Sequence, residues 1–284
     1  MHRGRRALNR GLWQAGPVTV QDISTWLKDQ CGEYVFDIAG VFRRNSDHSI
    51  WPIKADGPDD LERILNSRGH LLPLPKEPAA LANVLEVSVV DFVLARIHQT
   101  SGAEVRRGSE RGYPDLEIAG PAFGGGFHAV DVKAARRDEK KPSRTQSRIT
   151  LYTGNTYFKH PELHWPGTMR PFSEYMGHLD LIMIYTLNVE SPARVEDLEL
   201  IVQEPWRIAS KDRSSTTREY IGAIMDIGDL RHGRGVFDSP EAFYRYWRAF
   251  PFKVSRQVQK QYERALAAKM KELDHLKAKY LAGQ

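Results

Sequence analysis

The chain has 284 residues, 41% of them hydrophobic, enough for one large core or two modest ones, and no evident linker divides it. A lone cysteine, Cys31, excludes an intramolecular disulfide framework and a cysteine-built zinc site, and no apolar run approaches a membrane span. The 41 basic and 36 acidic residues give a net charge of +5, which permits nucleic acid as a partner without demanding it.

The N-terminus begins Met-His-Arg-Gly-Arg-Arg, with Arg3, Arg5, Arg6 and Arg10 crowded together and no apolar stretch of signal type after them. A cytoplasmic protein without membrane contact is expected. Residues 17–31 predict a first helix, with Val18, Ile23, Trp26 and Leu27 apolar at near-helical spacing. Residues 34–53 read as a hairpin around the polar turn at 43–48, and 55–78 as an irregular insertion with one short helix.

The clearest helix spans 78–100. Pro78 suits its first turn, Leu81, Val84, Leu85, Ser88, Val89 and Phe92 form its stripe, and Gly102 lies beyond its end. Glu86 stands out, because Val90, Val93 and Ile97 on its side are apolar. A carboxylate there either is buried and needs a partner or a metal, or sits at the stripe's margin and reaches solvent.

The most informative stretch is Gly112-Tyr-Pro-Asp115, an apolar run with glycines, then Ala129-Val-Asp-Val-Lys133. As two strands, it puts Asp131 and Lys133 on one face while Val130 and Val132 face a core. Two acids and a lysine so placed are the parts of a magnesium-dependent phosphodiesterase, with Asp115 and Asp131 holding the cation and Lys133 orienting water or steadying charge. A surface turn followed by an amphipathic edge strand would produce the same letters.

A basic run follows: Arg136, Arg137, Lys140, Lys141, Arg144 and Arg148. It is either a path for a polyphosphate backbone or a solvated loop. In 149–158, Thr150, Thr153, Asn155 and Thr156 suit backbone contacts to DNA, and equally suit ordinary strand positions. Strands are expected at 179–187 and 198–210. Between the latter and Tyr220-Ile-Gly-Ala-Ile224 lies a polar loop rich in hydrogen-bonding groups, a candidate base reader. Residues 255–281 predict one long helix in which Leu266, Met270, Leu273, Leu276 and Tyr280 recur at heptad-like intervals. It can pack on the body or on a second copy.

Taken in chain order, several segments resemble the EcoRV-like type II restriction endonucleases of the PD-(D/E)xK class. They are the helix carrying Glu86, 29 residues before Asp115; Tyr113-Pro-Asp115; Asp131-Val-Lys133; Ile149-Thr-Leu151; and Thr156-Tyr-Phe158. Pro171-Phe172-x-x-Tyr175-x-x-His178, Trp206-x-Ile-Ala209, Ile221-Gly222-x-Ile224 and the run Gly233–Arg248 continue it. The last run has no catalytic composition, so convergent chemistry does not explain it. The resemblance covers roughly residues 34–255.

The resemblance implies an α/β (mixed α+β) fold, a central mixed sheet flanked by helices. As one domain of 1–284, the chain would comprise a basic extension and first helix (1–33), the body (34–255) and a terminal helix (256–284). It implies that Asp115, Asp131 and Glu86 bind Mg2+, with Mn2+ able to substitute, and that Lys133 is the catalytic lysine. The implied working unit is a homodimer on double-stranded DNA, each subunit cutting one strand of a palindrome to leave blunt ends. A DNA methyltransferase in the same host is implied too, without need of contact.

Ser214, Ser215, Thr216, Thr217, Arg218 and Glu219 would form the major-groove loop, and Ser109, Glu110 and Arg111 a minor-groove loop. The family's major-groove loop uses glycines and an asparagine, whereas 214–219 has none. Arg218 reading guanine and Glu219 accepting from cytosine would suit a G·C pair, so a different recognition sequence is expected. Competing readings are a repair or structure-specific nuclease of the same fold, disfavoured by the matches at 171–178 and 233–248, and a DNA-binding protein that no longer cuts.

Overall fold

The computed structural model describes residues 20–36, 56–60, 63, 78–109, 112–188, 190 and 194–282. The expected hairpin at 34–53, most of the insertion at 55–78, the arginines at 3–10, Glu110 and Arg111 lie outside those residues.

A five-stranded mixed sheet of order β1-β2-β3-β5-β6 organises the rest. Its strands are β1 (Glu104–Arg107), β2 (Leu116–Ala119), β3 (Phe127–Arg136), β5 (Tyr175–Leu187) and β6 (Val195–Gln203). Only β3 and β5 run parallel; the other neighbours are antiparallel. A second, antiparallel sheet is built from β4 (Thr150–Thr153), β8 (Tyr220–Ala223) and β7 (Ala209–Arg213).

Alternation along β3 and β5 decides what each face of the large sheet meets. Val130, Val132, Leu179, Leu181 and Met183 enter one core with α1 (Ile23–Gly32) and α2 (Pro78–His98), against Leu27, Leu81, Leu85, Val89 and Val93. Each buried aliphatic side chain there contributes about 1.5–3 kcal/mol over exposure. Ala129, Ala135, Ile182 and Ile184 point the other way, into a core with Leu151, Tyr152 and Ile221 of the small sheet. Phe243 and Trp247, on the helix Pro240–Ala249, complete it. Asp131 and Lys133 lie on this second face.

Three expected boundaries move, each for a local reason. The first helix begins at Ile23, because Asp22 accepts from the Thr25 backbone N–H and caps it. The strand expected at 179–187 already starts at Tyr175, in register with β3. The single strand expected at 198–210 is two strands, β6 and β7, split by the helical turn Pro205–Ile208. Pro205 has no N–H to give a ladder and a φ suited to a first helical turn.

The β2–β3 connection turns on Gly120, whose φ of 102° brings it so close to Gly102 that an added Cβ would meet the Gly102 carbonyl oxygen at 2.4 Å. The terminal helix, Arg256–Ala282, packs its first half on the body, with Val258, Tyr262 and Ala265 against Leu163 and Trp165. The apolar residues Leu266, Met270, Leu273, Leu276 and Tyr280 further along are exposed.

Candidate active site

Three elements deliver four charged side chains to one polar cleft of about 460 Å³: Glu86 from α2, Asp115 from the start of β2, and Asp131 and Lys133 from β3. Thr150, Thr153, Arg148, Tyr157 and Tyr220 also line it, so the small sheet forms the opposite wall. The edge-strand alternative for 127–136 does not hold, since β3 is interior, paired with β2 on one side and β5 on the other.

Asp115 is tied to β3 by the Val132 N–H, which donates to its Oδ2 at 2.7 Å. That bond turns its carboxyl towards Asp131, whose own carboxylate accepts from the Lys133 ammonium. Burial, and then the Asp131 charge, push the Asp115 carboxyl up to about 7 against the pull of Lys133. Burial opposes charge on Lys133 too, yet Asp131, Asp180 and Asp115 together hold its ammonium well above the ordinary lysine range. Glu86 is half-buried and faces these groups. Burial raises its carboxyl, with Lys133 pulling it back. Glu86 meets both alternatives in part, since it is half-buried and also lines the polar cleft with Asp115 and Asp131.

The aromatic wall is equally specific. Tyr113 stacks on Tyr157 with centroids 4.9 Å apart. Its hydroxyl lies 2.7 Å from His178 Nδ1. Burial drives His178 down to about 3, so its ring is neutral and shares one hydrogen bond with Tyr113.

Clustered carboxylates with a high proton affinity, offering only oxygen donors, fit a hard divalent cation. Among the described residues no group of three or more His, Cys, Asp or Glu side chains is placed to hold a metal ion. Magnesium needs none, because it takes one or two carboxylates and fills the rest of its shell with water and phosphate oxygens.

The candidate DNA contacts divide. Ser214–Glu219 form the tip of the β7–β8 hairpin, and Ser214 Oγ lies 2.7 Å from Thr150 Oγ1, joining the tip to the cleft wall. Ser215 Oγ accepts from the backbone N–H groups of Thr217 and Arg218 and shapes the turn. Thr216, Thr217 and Arg218 are exposed, and Arg218 donates to the Tyr220 hydroxyl. Glu219 is half-buried and paired with Arg213 at 2.7 Å, so reaching a base would cost it that pair.

Thr150 and Thr153 line the cleft, whereas the Asn155 amide donates to the Lys253 carbonyl and the Thr156 hydroxyl to that of Thr153. Ser109 is exposed and borders a neighbouring recess shared with Glu86, Arg107 and Asp115. In the basic run, Arg137 pairs with Glu199 and Arg148 with Asp212, while Lys140, Lys141 and Arg144 are exposed.

One acid beside the cleft escaped sequence reading. Asp180 of β5 sits opposite Asp131 in the parallel register, fully buried. Its signal was an aspartate inside a strand otherwise read as apolar.

A mixed sheet with a Pro-Asp acid entering one strand and an acid-x-lysine on the next defines a nuclease core of the PD-(D/E)xK class. The family model described as restriction endonuclease EcoRV matches residues 47–272, and the chain belongs to that family. It is similar to the type II restriction enzyme EcoRV of Escherichia coli, 23% identical over 211 residues, which cover 67% of this chain and 82% of that enzyme. It is therefore a site-specific deoxyribonuclease that acts on double-stranded DNA. No helix among the described residues is long and apolar enough to cross a membrane.

Proposed function

We propose that this restriction endonuclease works as a homodimer that hydrolyses one phosphodiester in each strand of a short palindromic site. In this reading it uses Mg2+, with Mn2+ as a substitute, and leaves blunt ends. It acts in the cytoplasm, alongside a methyltransferase that protects host DNA. The observation that carries the reading is the convergence of Asp115, Asp131, Lys133 and Glu86, from three elements, on one cleft beside the β7–β8 tip.

In this mechanism Asp115 and Asp131 supply hard oxygen ligands, with Glu86 as an accessory carboxylate. A bound divalent cation would polarise the scissile phosphate and lower the pKa of the attacking water. Lys133 presents a fixed positive charge for the negative charge that grows on the phosphate, or orients the water. The water oxygen bonds to phosphorus as one ester P–O bond breaks; the water gives up a proton and the departing alkoxide takes one. Thr150 and Thr153 offer hydroxyls to the backbone of the cut strand, and Lys140, Lys141 and Arg144 offer exposed charge to its flanks. Arg218, with no acidic partner among the described residues, is the leading base reader, and Glu219 follows only on release from Arg213.

The test is plasmid DNA incubated with protein and Mg2+, followed by sequencing of the ends. Discrete blunt fragments sharing one palindrome are expected. Cutting confined to branched or damaged DNA, or binding without cutting in Mg2+ and Mn2+, would overturn the reading.

A further inference from the structure

Asp180 has no role in the mechanism above, yet it is the least comfortable group in the site. Its side chain is fully buried, and among the described residues neither carboxyl oxygen has a hydrogen-bond partner. Other buried acids are provided for: Glu117 is held by Arg170 and Tyr175, and Asp131 by Lys133. A buried acid without a partner costs several kcal/mol, and a strand flanked by Leu179, Leu181 and Ile182 would pack well with an aliphatic residue instead.

The register says what surrounds it. Asp180 pairs with Asp131, and Ile182 pairs with Lys133, so Asp180 and Lys133 sit diagonally on the same face of adjacent strands. Burial raises the Asp180 carboxyl well above its ordinary range; Lys133 pulls it back, and the like charges of Asp131 and Asp115 push it further up. Lys133 itself spends its ammonium on an oxygen of Asp131, the carboxylate that a divalent cation would claim. A cation arriving there repels the ammonium and takes its acceptor. Lys133 is mostly buried, with its side chain 20% exposed, so it needs another acceptor inside the site. Two oxygens without a partner among the described residues lie diagonally across from it on the neighbouring strand.

We propose that Asp180 is a positioning residue for Lys133: it receives the ammonium when a divalent cation occupies Asp131, and so keeps the lysine in the cleft and off the cation's ligand. Either oxygen can accept from the ammonium. The proposal rests on the metal-dependent reading of the site, and its test separates the two.

Magnesium binding is measured by calorimetry, without DNA, for wild type, Asp180→Leu, Lys133→Met and the double variant. Without Asp180, Lys133 stays on Asp131 and competes with the cation, so Asp180→Leu should weaken binding about tenfold or more. In the Lys133→Met background the same change should have little effect. Asp180→Asn, which keeps one carbonyl acceptor, should fall between wild type and Asp180→Leu; a larger loss than Leu would contradict an acceptor role. Equal losses with and without Lys133, or wild-type affinity in Asp180→Leu, would overturn the proposal. Wild type that binds no magnesium would instead sink the metal-dependent reading. A measurement on the intact protein covers failure of the variants to fold: in lysine-labelled wild type, the Lys133 ammonium signal should stay hydrogen-bonded through a magnesium titration. Its release to a solvent-exchanging signal would refute the proposal.

Discussion

Crowding of Asp115 against Asp131 makes this active site a source of instability, by an amount that follows from its chemistry. Folding raises the Asp115 carboxyl from 3.8 to about 7. Between those values the folded protein holds a proton that the unfolded chain has lost. Stability therefore falls as pH rises through this window, and the full penalty is present above about 7. The displacement corresponds to about 4 kcal/mol with the pull of Lys133 already included, and solvent screening in the cleft leaves roughly 2–3 kcal/mol of it. Asp115→Asn removes the charge but keeps a carbonyl to accept from the Val132 N–H, and its amide can donate to Asp131. With chelator present at pH 8.5, this variant should melt roughly 3–5 °C above wild type. At pH 5, where wild-type Asp115 is largely protonated, the advantage should shrink by more than half. Cleavage should be lost throughout. Calorimetric melting at the two pH values, with plasmid cutting in parallel, reads all three outcomes. A variant that melts at or below wild type at pH 8.5, or that gains equally at pH 5, refutes the charge-crowding argument.

Other expectations follow from the same geometry. Asp131→Ala should reduce cutting by about a thousandfold or more in Mg2+ or Mn2+ while a cooperative melt persists; wild-type cutting would rule out Asp131 as a metal ligand. Because a cation must displace the proton on Asp115, magnesium affinity should fall about tenfold for each pH unit below about 7 and level off above 8. Calorimetric affinity that is flat from pH 5.5 to 7 would contradict that linkage. Arg218→Ala should weaken binding to the cleaved sequence about tenfold or more while changing binding to unrelated duplex far less. Gel-shift titrations on the two DNAs decide it, since equal losses would make Arg218 a phosphate contact.

Much of this site was legible because its chemistry forces residue types into fixed spacing. An acid and a lysine two apart on a strand must share a face, so Asp131 and Lys133 were placed by the pleat alone. Glu86 was half legible: helical periodicity showed a carboxylate on a largely apolar side of α2, but only the packing of that helix on β3 decided which way it pointed. Asp180 was invisible for the opposite reason. It sits one residue into a run that is apolar on both faces, and nothing local reveals that its partner strand puts Asp131 opposite it. Register between strands about fifty residues apart is a tertiary fact. The split at Pro205 was readable in principle, since proline cannot hold a central ladder position, but the apolar letters on both sides made one strand the simpler reading.

Recognition is harder to read than cutting, and the geometry explains why. The hairpin tip at 214–219 carries hydroxyls, an arginine and an acid, a composition that fits a base reader or a bare turn. The fold then assigns several of those groups internal duties: Ser215 shapes the turn, Ser214 bridges to Thr150, and Glu219 neutralises Arg213. Left exposed at the tip, and proposed to meet the duplex, are Arg218, Thr216 and Thr217, on a strand pair whose next residue, Tyr220, lines the cleft that holds Asp115 and Asp131. Under the proposed function, a base contact at this tip would be mechanically close to the scissile site. A correct sequence that draws Arg218 away from Tyr220, or Glu219 away from Arg213, disturbs the wall facing the carboxylates. In such an arrangement specificity is expected in the cutting rate as well as in affinity. That makes the ratio of cleavage rates between cognate and near-cognate DNA, with both saturated, the measurement most sensitive to changes at this loop.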